Sequence, residues 1–159
     1  MNIKILCVGK IKEKFYRDAV VEYEKRLSRY GKLSIIEVAD EKTPDKCSEI
    51  EELQIKEKEA VRLLSHIKEN DYVVALAING KSYDSVSFAE HLEQLAVNGK
   101  SSLTFVIGGS LGLHESVLGQ CKERLSFSAM TFPHQLMRVI LLEQLYRSYR
   151  IQNHEPYHK

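Results

Sequence analysis

The chain has 159 residues, 43% hydrophobic and 28% charged, the balance of a soluble globular protein with one domain, residues 1–159, around one core. No apolar run is long enough to span a bilayer, and the apolar opening stretch is too short for a signal peptide, so a cytoplasmic protein without a membrane partner is expected. The net charge of +1 hides an asymmetry: residues 1–32 carry nine Lys/Arg against four Asp/Glu, residues 33–123 nine against sixteen, and residues 124–159 five against two. Two basic ends suit a polyanion, although a solvated mixed-charge surface accounts for the same counts.

In chain order, Ile3 to Val8 reads as a buried strand. Phe15, Ala19, Tyr23, Leu27 and Tyr30 follow at helical spacing, with Gly31 placed to end that helix. Leu33 to Val38 reads as a second strand. A loop with Pro44 leads to a long helix whose apolar face is Ile50, Leu53, Ala60, Leu64 and Ile67. Tyr72 to Ile78 is a third strand, stopped by Asn79-Gly80. Ser87-Phe88-Ala89-Glu90 has the pattern of a capping box, and the helix it starts ends near Asn98-Gly99. Leu103 to Ile107 is a fourth strand, followed by a short helix over about 114–121 and a short strand at Leu125 to Phe127. Pro133 opens a final helix to about Arg150, and Ile151 to Lys159 form a polar tail.

This alternation predicts an α/β fold, a mainly parallel sheet with helices on both faces. Ligands of such sheets bind at the carboxyl ends of strands, which points to the loops after Ile78, Ile107 and Phe127. The second loop carries Gly108, Gly109 and Gly112. Glycines allow backbone to approach a ligand closely, and they equally allow a plain tight turn. The loop is neither G-x-G-x-x-G nor a P-loop. It does fit G-x-S-x-G, with Ser110 as the nucleophile of a small serine hydrolase, His134 as base, and Glu115 or Glu123 as orienter. The histidines lack metal-ligand spacing, and Cys7, Cys47 and Cys121 form no C-x-x-C pair, so no metal is expected.

Arg138, Glu143, Arg147 and Arg150 lie along the last helix, where Glu143 and Arg147 stand at ion-pair spacing. Tyr157-His158-Lys159 closes the chain with a stacking ring, a donor and a cation, groups suited to nucleic acid if the tail is ordered.

Four stretches carry a resemblance that covers essentially the whole chain: Ile5–Lys10; Phe105-Val-Ile-Gly-Gly-Ser-Leu-Gly112; Leu125-Ser-Phe-Ser-Ala-Met-Thr-Phe-Pro-His134; and Glu143-Gln-Leu-Tyr-Arg147 through Pro156-Tyr-His-Lys159. In these the chain resembles the ribosomal large subunit methyltransferase H family, the smallest members of the SPOUT class. The resemblance implies a C-terminal trefoil knot, a homodimer with the site at its interface, and S-adenosyl-L-methionine (SAM) as cofactor. The implied reaction is N3-methylation of a pseudouridine in helix 69 of the large-subunit rRNA, pseudouridine 1915 in the usual rRNA numbering, on the assembled ribosome.

Carried over by position, the cofactor pocket falls on Leu76, Gly108, Phe127, Ser128, Ala129, Met130, Thr131 and Phe132. Substrate handling and catalysis fall on His134, Arg147, Tyr157 and His158, with Lys159 as a terminal cation. Lys10, Lys12, Lys14 and Arg17 are candidates for ribosome contact. Two rivals stand beside this reading: the Ser110 hydrolase and a non-catalytic ribosome-binding module.

Overall fold

In the computed structural model, which describes residues 1–159, the first apolar run forms β1, Asn2–Val8. Its side chains alternate between two cores. Ile3, Ile5 and Cys7 enter one, and Leu6 and Val8 the other. Burial on both faces is what a parallel sheet between two helical layers demands. The same alternation recurs in β4, Ser102–Ile107, where Leu103, Phe105 and Ile107 face the first core and Val106 the second.

With β2 (Lys32–Val38), β3 (Tyr72–Ser82) and β5 (Glu123–Ser126), these strands make one five-stranded sheet in the order β2-β1-β4-β3-β5. Every pair is parallel, so all five carboxyl ends lie along one edge. Three helices cover one face: α1 (Lys14–Leu27), α3 (Ser85–Val97) and α5 (His134–Gln152). They supply Val20, Phe88, Leu92, Leu141 and Leu145, among others, to the larger core. On the other face lie α2 (Glu49–Leu64) and α4 (Glu115–Leu118), with Ala60, Leu63 and Val117 buried. The parallel α/β architecture with helices on both faces is therefore as expected. No helix is long and apolar enough to cross a membrane.

Several local expectations are corrected. Strand β3 does not stop at Asn79-Gly80. Leu125 pairs first with Leu76 and again with Lys81, so residues 77–80 bulge out and the strand resumes. A Cβ on Gly80 would lie 2.7 Å from the carbonyl carbons of Arg124 and Leu125. This glycine therefore permits a close approach of β3 to β5, where the Asn-Gly pair had signalled the end of the strand.

Helix α3 begins at Ser85, because Asp84 is its cap and accepts from the Ser87 N–H at 2.7 Å. The capping box of the chain belongs to α2, where Ser48 accepts from Glu51 N–H and the Glu51 side chain accepts from Ser48 N–H. Full burial on α2 begins only at Glu59, so Ile50 and Leu53 are 70% and 51% exposed. Helix α1 ends at Leu27, short of Gly31, and its Phe15 faces solvent. The fifth strand starts two residues early, at Glu123, and α4 keeps only four residues. Pro133 is the N-cap of α5, one position before its expected place, and the helix runs on to Gln152.

The tail is ordered against the body. Tyr157 packs edge-on against Tyr146 with centroids 5.0 Å apart. Glu155 pairs with Arg150 at 2.7 Å and accepts from the Tyr30 hydroxyl at 2.6 Å.

Candidate active site

The sheet order brings the carboxyl ends of β4, β3 and β5 side by side. After Ile107 the glycine loop folds onto itself. Gly109 bridges to Gly112, whose N–H donates to the Gly109 carbonyl at 3.1 Å. A Cβ on Gly108 would stand 2.8 Å from the carbonyl carbon of Gly112, so only glycine closes the loop this tightly. Glu59 lies beneath, its Oε1 3.4 Å from where a Gly109 Cβ would sit. Burial raises the Glu59 carboxyl above its ordinary value, and Glu59 accepts from Glu41 N–H at 3.0 Å. Nothing in the sequence singles it out, since it is one of many charged residues on α2.

The loop after β5 is shaped by its serines. Ser126 Oγ donates to the Ser128 carbonyl at 3.2 Å, and Met130 N–H donates to Ser128 Oγ at 3.0 Å. Between this loop, the glycine loop and the β3 bulge opens a mostly apolar cleft of about 470 Å³. Leu76, Gly108, Phe127, Ser128, Met130, Thr131 and Phe132 all line it, as expected from the sequence. Ala129, at the corner of the serine-braced turn, does not. Ile78, Leu113 and Met137 also line the cleft and were missed; only their nearness to strand ends marked them in sequence.

His134 sits at the mouth, at the first position of α5. Its Nδ1 is buried without a partner. Burial first, and the Arg138 cation second, hold its imidazole below the ordinary value, so the ring is neutral at neutral pH. Because the folded value is depressed, the unfolded chain takes up the proton first as pH falls. The stability carried by the neutral ring is full above about pH 6.5 and lost as pH drops through the folded value. The melting temperature of His134→Gln should therefore fall less steeply than that of the parent between about pH 7 and about pH 5. Equal slopes in a thermal-shift series would contradict the assignment.

Arg147, Tyr157 and His158 are brought together, but with one another and outside that cleft. Arg147 donates to Glu143 Oε1 at 2.6 Å and lies 3.2 Å from His158 Nδ1, and its guanidinium stands 4.7 Å over the Tyr157 ring. The Tyr157 hydroxyl donates to the same Glu143 oxygen at 3.1 Å; burial and that carboxylate push it up to about 12. His158 lines a second hollow of about 600 Å³ with Tyr83, Asp84 and Gln144. The two cavities share Leu125, Ser126, Phe127 and Phe132 as a common wall.

Ser110 lines the cleft, but no serine triad exists around it. His134 Nδ1 has no orienting carboxylate, and Glu123 is paired with His91 at 2.9 Å.

An apolar cleft walled by loops at three adjacent strand ends of a parallel sheet is where α/β proteins of this kind bind a small ligand. The family model described as "Predicted SPOUT methyltransferase" matches residues 1–158. Ribosomal RNA large subunit methyltransferase H of Clostridium tetani (strain Massachusetts / E88) is 61% identical over 159 residues, 100% of both chains. The protein of the same name from Enterococcus faecalis (strain ATCC 700802 / V583) is 55% identical, again over 100% of both. A solved structure described as a probable methylase family protein from Haemophilus influenzae Rd KW20 superposes with a TM-score of 0.53 at 13% identity, covering 99% of this chain and 70% of that one. At that identity the likeness speaks to fold alone. The chain belongs to the SPOUT methyltransferases and, within them, to the ribosomal RNA large subunit methyltransferase H family.

Proposed function

We propose that this protein methylates N3 of a pseudouridine in helix 69 of large-subunit rRNA, position 1915 in the usual rRNA numbering, using SAM on the assembled ribosome. It acts in the cytoplasm, as a single-domain homodimer whose C-terminal half is knotted. The observation that carries the cofactor reading is the convergence of Leu76, Gly108 and residues 127–132 on one cleft. The fit is chemical as well as spatial. Apolar walls suit an adenine ring, and the missing Cβ of Gly108 lets the glycine loop close on Gly112 as one wall of the cleft. No carboxylate lines the cleft, so carbonyl and hydroxyl oxygens of the 127–132 loop would meet the positive end of the cofactor.

Bound SAM supplies an electrophilic methyl group on a sulfonium. The chain's own part is to align the target base and to relieve N3 of its proton as the N–C bond forms and the C–S bond breaks. His134, neutral at the cleft mouth, is placed to accept that proton. Arg147 and the tail supply a positive surround that stabilises the developing imide anion. Within one protomer they stand beyond the shared wall, which favours a composite site in which each tail completes the partner's cleft.

The test is transfer of labelled methyl from SAM to ribosomes lacking the modification, followed by mapping of the labelled nucleotide. Label at N3 of the helix 69 pseudouridine is expected; label elsewhere, or none, contradicts the proposal. His134→Ala should still bind SAM and lose at least about tenfold in kcat. Undiminished methylation would remove the histidine from the mechanism.

A further inference from the structure

Phe15 is 63% exposed at the start of α1, and its only aromatic neighbour is Tyr16, at 4.4 Å. Most of the exposed charged side chains around it are cationic, Lys10, Lys12, Lys14 and Arg17, with the acids Glu13 and Asp18 among them. Lys14 pairs with Asp18 at 2.6 Å, while Lys10, Lys12 and Arg17 enter no ion pair.

The loop bearing these cations is not loose. Arg17 donates to the carbonyls of Ile11 and Lys12 at 3.3 and 2.9 Å. Ile11 N–H donates to Glu37 Oε2 at 3.0 Å. Lys12 N–H donates to Gln135 Oε1 at 3.1 Å, one residue beyond His134. The segment starts close to the cleft, since a Cβ built on Gly9 would lie 3.7 Å from His134 Cε1. A rigid basic loop with one outward ring is thus fastened beside the mouth of the catalytic cleft.

We propose that this surface is a contact for ribosomal RNA, in which Phe15 stacks on an unpaired base while Lys10 and Lys12 meet the adjoining phosphates. The inference rests on the reading of the cleft as an rRNA methylation site and adds the surface that holds the RNA beside it. An exposed ring among unpaired cations is the pairing that single-stranded RNA selects, stacking for the base and charge for the backbone. Braces already in place reduce the ordering cost of binding. A protein partner fits less well. The positions three, four and seven residues on from Phe15 on α1 are Asp18, Ala19 and Glu22, so on that face only the half-buried Ala19 extends the apolar surface, too little for a stable protein interface.

The experiment uses the full chain and assembled ribosomes lacking the modification, with binding read by co-sedimentation across a salt series. Phe15→Ala is expected to weaken ribosome binding about tenfold or more, and Phe15→Trp to restore it, whereas Phe15→Leu does not. Lys12→Ala is expected to lower the slope of log affinity against log salt by about one. SAM affinity stays at the parent value in all three Phe15 variants and in Lys12→Ala.

Unchanged binding by Phe15→Ala overturns the proposal, as does full rescue by leucine. So does a shift of Phe15→Ala toward a smaller oligomer in sedimentation velocity, which would make the ring a protein contact. The two readings fail separately. Wild-type protein that binds ribosomes through Phe15 but transfers no methyl sinks the enzymatic reading alone. Wild-type transfer with Phe15-independent binding sinks the contact alone.

Discussion

Replacing Gly108 with alanine lowers the affinity for SAM by about a hundredfold while the chain stays folded. The new methyl would stand 2.8 Å from the Gly112 carbonyl carbon and 3.0 Å from its oxygen. Both are backbone atoms of the loop that walls the cleft, so no side-chain rotation relieves the clash and the loop itself must move. Forcing a methyl into packed backbone costs about 1–3 kcal/mol, whose upper end is on the order of a hundredfold in affinity. Gly119→Ala is the matched control. Its nearest neighbour is the Glu115 carbonyl at 3.3 Å, it lies beyond the cleft lining, and SAM affinity should be unchanged. Titration calorimetry on the two variants decides the matter. Parent-like affinity in Gly108→Ala would detach the glycine loop from the cofactor.

The second large effect is on stability. Arg138 is 1% exposed on α5, and its side chain ties strands to helix. It donates to the carbonyls of Val8 and Gly9 at 3.1 and 2.7 Å and to Glu37 Oε2 at 2.6 Å. One guanidinium thus fastens the end of β1, the end of β2 and the last helix together beneath His134. Arg138→Met roughly preserves volume but takes a donor from the Val8 and Gly9 carbonyls and leaves Glu37 with the Ile11 N–H alone. Breaking a buried ion pair from one side costs about 3–5 kcal/mol. Glu37 keeps 34% of its side chain in solvent, which places this case at the lower end, about 3 kcal/mol. For a chain of this length that is a fall in Tm on the order of 10 °C. Thermal denaturation measures it, and a fall of about 1 °C or less would show that the carbonyls find water instead.

The sequence made the middle of the sheet legible because β1 and β4 are buried on both faces and read as continuous apolar runs, Ile3–Val8 and Leu103–Ile107. It also marked seven of the cleft residues, through the resemblance and through the strand ends. What it did not disclose depends on contacts between distant segments. Gly80 reads as a turn because its neighbour is Asn79; that it faces the carbonyl carbon of Arg124 depends on how β3 and β5 are laid together. Glu59 reads as one charge among many on α2 and Arg138 as one of a row of charged residues along the last helix, and only the packing reveals that both are buried. Ile50 and Leu53 have helical spacing, yet on α2 full burial begins only at Glu59. The placement of Arg147, Tyr157 and His158 with one another rather than in the cleft follows from Glu143, which binds both Arg147 and Tyr157. Sequence spacing gave the first of those bonds and had no means to give the second.

The account stands most directly on where the spent cofactor lies. A crystal structure of the chain with S-adenosyl-L-homocysteine should find the molecule between Leu76, Gly108 and the Phe127–Phe132 loop, with its sulfur toward His134. Density for the ligand in the second hollow, or anywhere outside the cleft at those three strand ends, would contradict it.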